Sequence, residues 1–180
     1  PKVLAIDCEM CVSEDPLTKK RNAKELLRLS VVTGAGGKEV VLDTLVQPSL
    51  PVTDYVTHIH GIEKSHLNAV TFTRRHAQAV LREICTADTI LVGHSLDNDL
   101  KSLQFTHDRV VDTALIFNGQ NGSTCSLRDL TATLLGQDQE EPHDSICDAR
   151  VTYACAETAT LTGLRVAEVP RTVSKMGGGH

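Results

Sequence analysis

The stretch that decides the fold is Ala5-Ile6-Asp7-Cys8-Glu9-Met10, in which a buried strand leads into two acids. Residues 3–6 form a short apolar run with β-branched members. Such a run predicts a central strand of an α/β sheet that is buried on both faces. Side chains two positions apart leave a strand on the same face, so we expect Asp7 and Glu9 to point into one small volume.

This pair of acids predicts a metal site. Two carboxylates at the end of a buried strand are costly unless a cation neutralises them, and oxygen ligands suit Mg²⁺ or Mn²⁺. The alternative is that Asp7 and Glu9 only mark the solvated end of the strand, because an Asp-x-Glu sequence is common. The motifs in the rest of the chain are needed to decide between these two interpretations.

The length and composition are those of one globular domain. The chain has 180 residues, of which 41% are hydrophobic and 23% are charged, and this allows a core of its own. We expect residues 1–165 to form the domain and residues 166–180 to be a flexible tail. No apolar run is long enough to cross a bilayer and no signal-peptide pattern is present, so we expect an intracellular protein without membrane contact. Because the first residue is Pro1, we expect the chain to be a piece of a longer protein.

The charged residues and the cysteines narrow the function classes. A net charge of −5 argues against a protein that holds nucleic acid by bulk charge alone, but it does not exclude local basic groups. The basic run Lys19-Lys20-Arg21 lies in the polar segment 11–24, which we predict to be an exposed loop. Such a run is usually only solvated, although it could contact a phosphate backbone or act as a nuclear signal. The six cysteines are scattered, which favours free thiols in a reducing compartment.

The order of predicted elements is typical of a mixed sheet between helical layers. After the first strand we predict a hairpin of two strands beside it, followed by a β-α-β unit and further helices. The stretch Thr57 to Ile62 has no clear period of its own. The predicted strands are 26–33, 39–47, 89–92 and 109–111, and the predicted helices are 73–85, 96–105, 126–135 and 145–161. Ligands of such sheets gather at strand ends, where Asp7 and Glu9 lie.

Two further acids fall where they could join the first pair. Asp99 lies at the edge of the buried face of the predicted helix 96–105, and Asp148 lies in the first turn of the last helix. Taken singly, Asp99 is more simply interpreted as a solvated helix residue. Asp148 is then part of a capping box, Ser145-x-x-Asp148, because helix starts favour acids. His143 precedes this helix, and a lone histidine in a loop is usually a surface residue.

Together these motifs resemble those of a known family, the DEDDh branch of the DnaQ-like 3′→5′ exonucleases within the RNase H-like fold. The match is closest to the Rex-type RNA exonucleases and spans about residues 3–159. It departs from the Rex type in the longer segment 11–24 and at His60-Gly61-Ile62, where Rex-type members often have Ser-Gly-Ile. The three motifs are Asp7-Cys8-Glu9-Met10, then Gly93-His94-Ser95-Leu96-x-Asn98-Asp99-Leu100, then His143-Asp144-Ser145-x-x-Asp148-Ala149.

The resemblance implies a metal-dependent 3′→5′ exoribonuclease that releases nucleoside 5′-monophosphates in RNA 3′-end processing or turnover. The implied mechanism is two-metal-ion hydrolysis of the phosphodiester. The two Mg²⁺ or Mn²⁺ ions would be held by four carboxylates: Asp7, Glu9, Asp99 and Asp148. His143 would be the general base that accepts a proton from the attacking water. The implied substrate-binding positions are Met10, His60, Gly61, Ile62, His94 and Asn98. The expected partner is a single-stranded RNA 3′ end, and no protein partner can be inferred.

Two other hypotheses stay open. The chain could be a DNA 3′→5′ exonuclease or a short-oligonucleotide hydrolase of the same family, or it could be a catalytically silent RNA-binding domain that keeps the fold. All five catalytic positions carry competent residues, which argues against the silent domain. With three Phe, two Tyr and no Trp, the chain lacks a set of stacking aromatics for long single strands. We expect the protein in the nucleus or nucleolus rather than in the cytoplasm.

Overall fold

A mixed β-sheet forms the centre of the computed structural model, which describes residues 2–117, 124–137 and 143–162. The strands follow the order β3-β2-β1-β5-β6, and β4 pairs with β1. Pairing is antiparallel for β1 with β2 and β4 and for β2 with β3, and parallel for β1 with β5 and for β5 with β6. The strands are β1 (Val3–Glu14), β2 (Arg21–Thr33), β3 (Glu39–Leu45), β4 (Val52–Asp54), β5 (Ile90–Gly93) and β6 (Val110–Asp112). The predicted tail at residues 166–180 lies outside the described residues.

The strands β1 and β2 are much longer than the strands 3–6 and 26–33 that the sequence predicts. The prediction of an exposed loop over residues 11–24 is wrong, because β1 continues to Glu14 and β2 begins at Arg21. Ser13 and Glu25 are polar yet buried, and the Ser13 hydroxyl donates a 3.4 Å hydrogen bond to the Glu25 carboxylate. A polar pair that is satisfied inside the core hides a strand from an analysis of hydrophobic pattern.

The predicted helices are confirmed, with bounds that differ by a few residues. The helices are α1 (Thr57–His60), α2 (Arg74–Ile84), α3 (Asp97–Leu103), α4 (Thr113–Ile116), α5 (Leu127–Leu130) and α6 (Ser145–Thr162). Short 3₁₀ turns cover Ala35–Gly37 and Lys64–Leu67, and one π-helical turn covers Thr131–Leu135. β4, α1 and α4, each of three or four residues, were not predicted, because none of them has a clear period in the sequence. None of the described helices is both long enough and apolar enough to cross a membrane.

The two faces of the sheet carry different layers, and this positions the acids of β1. Leu4 and Ile6 pack with side chains of α2 and α3 on one face, while Ala5 packs with Ala149 of α6 on the other. Because side chains alternate along a strand, Asp7 leaves β1 on the same face as Ala5 and lies below the first turn of α6. The packing of α6 against β1 and β2 thus places the third motif over the first.

Candidate active site

The structure brings the four predicted carboxylates together. Asp99, on α3, accepts a 2.9 Å hydrogen bond from the backbone N–H of Cys8, which lies between Asp7 and Glu9. The charges of Asp99, Glu9 and Asp148 each raise the pKa of Asp7, so all four groups lie within electrostatic range of one another. Elements separated by about 90 and 140 residues in sequence therefore meet at one strand, as parallel β1–β5 pairing and the packing of α6 require.

The carboxyl groups of Asp7, Glu9 and Asp99 bind protons more readily in this site than they would in water, because their pKa values are raised. Burial, followed by repulsion from Asp148, raises the pKa of Glu9 to about 7. Burial also raises the pKa of Asp99 to about 7, against the opposing hydrogen bond from Cys8. The pKa of Asp7 is raised well above its usual range by burial and by its three acidic neighbours. A bound cation would stabilise the ionised form of these carboxyl groups and so offset the unfavourable charge.

The residues fit a divalent cation in their chemistry. Glu9 Oε1 is buried without any hydrogen-bond partner in the described parts of the chain, and an orphaned carboxylate oxygen is suited to bind a metal. Among residues 2–117, 124–137 and 143–162, however, no three His, Cys, Asp or Glu side chains form a ready-made ligand cluster. The donor set is thus present, and its role as a ligand set stays a prediction.

Arg28 is the residue that the sequence analysis missed. It lies on β2 directly opposite Glu9, and its positive charge lowers the pKa of both Glu9 and Asp7. Its guanidinium binds both carboxylate oxygens of Asp43, at 2.7 and 3.0 Å, and donates to Asp144 at 3.1 Å. The available signal was a lone charge inside the apolar run Leu26-Leu27-Arg28-Leu29. Arg28 both offsets the acidic charge and ties the start of α6 to the sheet.

The start of α6 is capped by Asp144, so the capping-box interpretation of Ser145 and Asp148 is wrong. Asp144 Oδ1 accepts hydrogen bonds from the backbone N–H groups of Ile146, at 3.0 Å, and Cys147, at 3.1 Å. The Ser145 hydroxyl instead bonds the Ser30 hydroxyl at 2.7 Å. Because the helix start is already satisfied, the buried carboxylate of Asp148 is not needed as a cap.

His143 lies at the edge of the carboxylate cluster. Its Nδ1 is 3.3 Å from Asp148 Oδ2, and 44% of its side chain is exposed. Its backbone N–H donates a 2.8 Å hydrogen bond to the carbonyl of Ile59 in α1. The sequence predicts a loop histidine beside the acids, and the structure places it there, held from both sides.

The His60 side chain links α1 to β1 next to the candidate site. His60 is buried, and its Nδ1 accepts from the backbone N–H of Ile62 at 3.1 Å, so Nε2 carries the hydrogen and donates to the Met10 carbonyl at 3.2 Å. Burial lowers the pKa of His60, which keeps this ring neutral. Gly61 ends α1 at φ 73°, a left-handed conformation that glycine adopts without strain. His60 therefore fixes Met10 and Ile62 through their backbone atoms.

The last two predicted substrate positions differ in their surroundings. His94 is partly buried, with Nδ1 2.9 Å from the Thr113 hydroxyl, and burial lowers its pKa. Asn98 is exposed and accepts a hydrogen bond from the Lys24 ammonium group. The charge of Asp148 opposes the shift of the His94 pKa, so His94 lies within electrostatic range of that carboxylate. His94 stabilises the connection after β5, and Asn98 lies on the outer rim of the site.

The raised pKa of Glu9 predicts an unusual pH dependence of stability. Since the pKa is about 7 in the folded protein against 4.5 for the free side chain, the folded state binds this proton more tightly. In chelator, the stabilisation is complete below about pH 4.5 and is lost as the pH rises to about 7. One pKa unit corresponds to about 1.4 kcal/mol, so the loss should be on the order of 1–3 kcal/mol. Urea unfolding of the parent and Glu9→Gln between pH 4.5 and 8 measures it.

Glu9→Gln serves as the reference because it mimics the protonated acid. Two histidines with lowered pKa values, the buried His60 and the partly buried His94, contribute stability that is lost as the pH falls, which is the opposite sign. Both remain in each protein, so their effect cancels in the difference. If the free energies of unfolding of the parent and of Glu9→Gln differ by the same amount across this pH range, the raised pKa is contradicted.

Comparisons with known proteins agree with the geometry. The RNase T family model, described as an exonuclease, matches residues 4–156. RNA exonuclease 5 of Bos taurus is 39% identical over 158 residues, which are 86% of this chain and 19% of that protein. RNA exonuclease 1 of Saccharomyces cerevisiae is 38% identical over 166 residues, 90% of this chain and 28% of that protein. The chain therefore spans less than a third of the length of these curated relatives.

A solved structure shows the same arrangement of strands and helices. The Pan2 pseudoubiquitin hydrolase–RNA exonuclease module of Saccharomyces cerevisiae, in complex with AAGGA RNA, superimposes with a TM-score of 0.74 at 26% identity. The match covers 92% of this chain and 30% of that chain. Together with the mixed sheet and its flanking helices, this likeness confirms the predicted RNase H-like fold.

Proposed function

Because the chain belongs to the exonuclease family, as its three motifs indicate, we propose that it is a 3′→5′ exoribonuclease that releases nucleoside 5′-monophosphates. The observation that carries this proposal is the meeting of Asp7, Glu9, Asp99 and Asp148 beside His143. The RNA preference is supported by the relatives named RNA exonuclease and by the likeness to a nuclease module in complex with RNA.

The carboxylates are proposed to act together. Asp7, Glu9, Asp99 and Asp148 would hold two divalent cations, Mg²⁺ or Mn²⁺, which when bound polarise the phosphodiester and make water more nucleophilic. Arg28 offsets part of the acidic charge from outside this group. The backbone N–H of Cys8 donates to Asp99 Oδ1 and thereby orients this carboxylate.

His143 is proposed to accept the proton of the attacking water. When Nδ1 carries a hydrogen, it donates that hydrogen to Asp148, and Nε2 then keeps its lone pair for the incoming proton. The bond from the His143 backbone to Ile59 and the Asp144 cap of α6 limit the movement of this ring. Asp148 would thereby act both as a ligand and as the group that orients the base.

A digestion experiment tests the direction and the substrate. We expect a 5′-labelled single-stranded RNA to be shortened stepwise in Mg²⁺, with nucleoside 5′-monophosphates released, and to resist when its 3′ end is blocked. Asp7→Asn is the matched control that should leave the RNA intact. Equal degradation of blocked and free RNA would overturn the 3′→5′ direction. Faster degradation of DNA of the same sequence would favour the DNA exonuclease instead.

A further inference from the structure

Beside the candidate active site lies a basic groove, for which the function proposed above gives no role. It has a volume of about 320 Å³, and its walls contain Lys20, Arg21, Lys24, Arg74 and Lys101, with Asp15 as the acid. We propose that this basic groove binds the phosphates of an RNA strand upstream of its 3′-terminal nucleotide. The proposal rests on the proposed exoribonuclease function and adds a path for the rest of the substrate.

The cations of the basic groove are unequally neutralised. Within the described parts of the chain, Lys20, Arg21 and Lys24 have no carboxylate at salt-bridge distance. Arg74 has only a 3.9 Å contact with Glu25, whereas Lys101 is paired with Asp97. Three cations that lie together without a paired carboxylate in the described parts of the chain raise the local potential, although the whole chain carries a net charge of −5.

The acid of the basic groove is occupied by its own loop. Asp15 Oδ1 accepts hydrogen bonds from the backbone N–H groups of Leu17, at 2.8 Å, and Thr18, at 3.2 Å. Glu25, which approaches Arg74, is buried and accepts from the Ser49 N–H at 2.7 Å and the Asn22 amide at 3.0 Å. Neither carboxylate competes strongly for Lys20, Arg21 or Lys24.

The basic groove borders α3, the helix that carries Asp99, through Lys101 and Gln104. Lys24 donates a hydrogen bond to Asn98, the residue next to Asp99. Lys24 also lies two positions before Leu26, the β2 partner of Met10. Three residues along the strand separate Glu9 from the level of Lys24, about 10 Å at 3.3 Å per residue. That distance is about three nucleotides of a stacked strand at 3.4 Å each.

The composition of the chain leaves phosphate contacts as the main means to hold a strand. Only five aromatic residues are present, so stacking contributes little along the substrate. Lys20 and Arg21 lie in segment 11–24, which is longer than in the Rex-type exonucleases. Both side chains are exposed. An exposed basic pair at a groove that borders the helix of Asp99 is placed to contact the phosphates of a polynucleotide.

Binding of RNA in chelator tests the proposal without any need for catalysis. The probe is a fluorescent 12-nucleotide single-stranded RNA with a blocked 3′ end, titrated at several salt concentrations. We expect Lys20→Gln/Arg21→Gln to weaken binding about tenfold at low salt and to reduce the slope of log Kd against log salt by about 1.4, which is 0.7 for each of two lost phosphate contacts. The loss should be smaller for a 4-nucleotide RNA, which is too short to fill the groove.

The matched control is Lys38→Gln/Arg82→Gln, which removes the same charge from exposed positions outside the basic groove. It should bind the 12-nucleotide RNA with the parental slope, and both double variants should melt as the parent does. Equal slopes for the parent and the groove variant, or an equal loss in the control, would overturn the groove. If the parent degrades RNA under those outcomes, the exoribonuclease stands and only the groove fails. Binding through the groove by a parent that degrades no RNA would support the groove and reject the activity.

Discussion

Asp148→Asn should abolish RNA degradation while the metal-free protein stays at least as stable as the parent. Asp148 lies buried beside other acids, and its charge raises the pKa of both Asp7 and Glu9. Two unit charges about 4 Å apart at an effective dielectric near 20 repel by roughly 4 kcal/mol before relaxation. The substitution removes this repulsion and keeps the shape of the side chain. It also removes a predicted metal ligand, so function and stability should change in opposite directions.

Thermal melts in chelator and in Mn²⁺ measure this effect. Mn²⁺ should raise the melting temperature of the parent and raise that of Asp148→Asn much less, because ligand binding stabilises only a protein that can bind. Asp144→Ala on the same helix is the contrasting variant. It loses the acceptor for two backbone N–H groups and the partner of Arg28, so it should lose about 1–2 kcal/mol of stability. Strong destabilisation of Asp148→Asn in chelator would instead indicate that this carboxylate supports the helix.

His143→Ala should lower turnover by about 10²–10⁴-fold, the usual effect of losing a general base. The stabilisation by Mn²⁺ should survive, because His143 is not one of the four predicted ligands. The imidazole lies at the edge of the cluster, with Nδ1 3.3 Å from Asp148 Oδ2, so we expect its removal to leave the carboxylates in place.

His58→Ala is the matched control for this experiment. His58 is an exposed histidine of the neighbouring helix α1, and its side chain makes no hydrogen bond in the described parts of the chain. Single-turnover rates on one RNA substrate, measured for the parent and both variants, separate a reacting imidazole from a surface one. A near-parental rate for His143→Ala, or a loss of Mn²⁺ stabilisation together with activity, would show that His143 does not have the assigned role.

The acids of this site carry a cost that the rest of the fold must offset. Asp7, Glu9 and Asp99 all have raised pKa values, which means that the folded protein holds their charges under unfavourable conditions. If these acids were only strand ends and helix caps, we would expect hydrogen bonds or nearby cations to offset this electrostatic cost. Here Arg28 supplies only part of the compensation, and Glu9 Oε1 is left without a hydrogen bond.

Local patterns in the sequence were sufficient for the elements that carry the site. The apolar run before Asp7 predicted β1, alternation predicted a shared face for Asp7 and Glu9, and the helical period predicted α2 and α6. The family motifs added Asp99, His143 and Asp148, whose roles stay predictions. The strands and helices could be predicted because each depends on neighbours within a few residues, whose geometry follows from the strand or helix itself.

Contacts between distant segments were decided by the tertiary structure alone. Arg28 becomes part of the site only because the register of β1 and β2 sets it opposite Glu9. His60 becomes a support only because its ring reaches the Met10 carbonyl, and Asp144 is tied to the sheet only because Arg28 donates to it. The basic groove likewise combines residues of β2, α2 and α3. Register and packing depend on the whole chain, because buried polar groups take whichever partner the fold brings within reach, and that partner is not recorded in any local pattern.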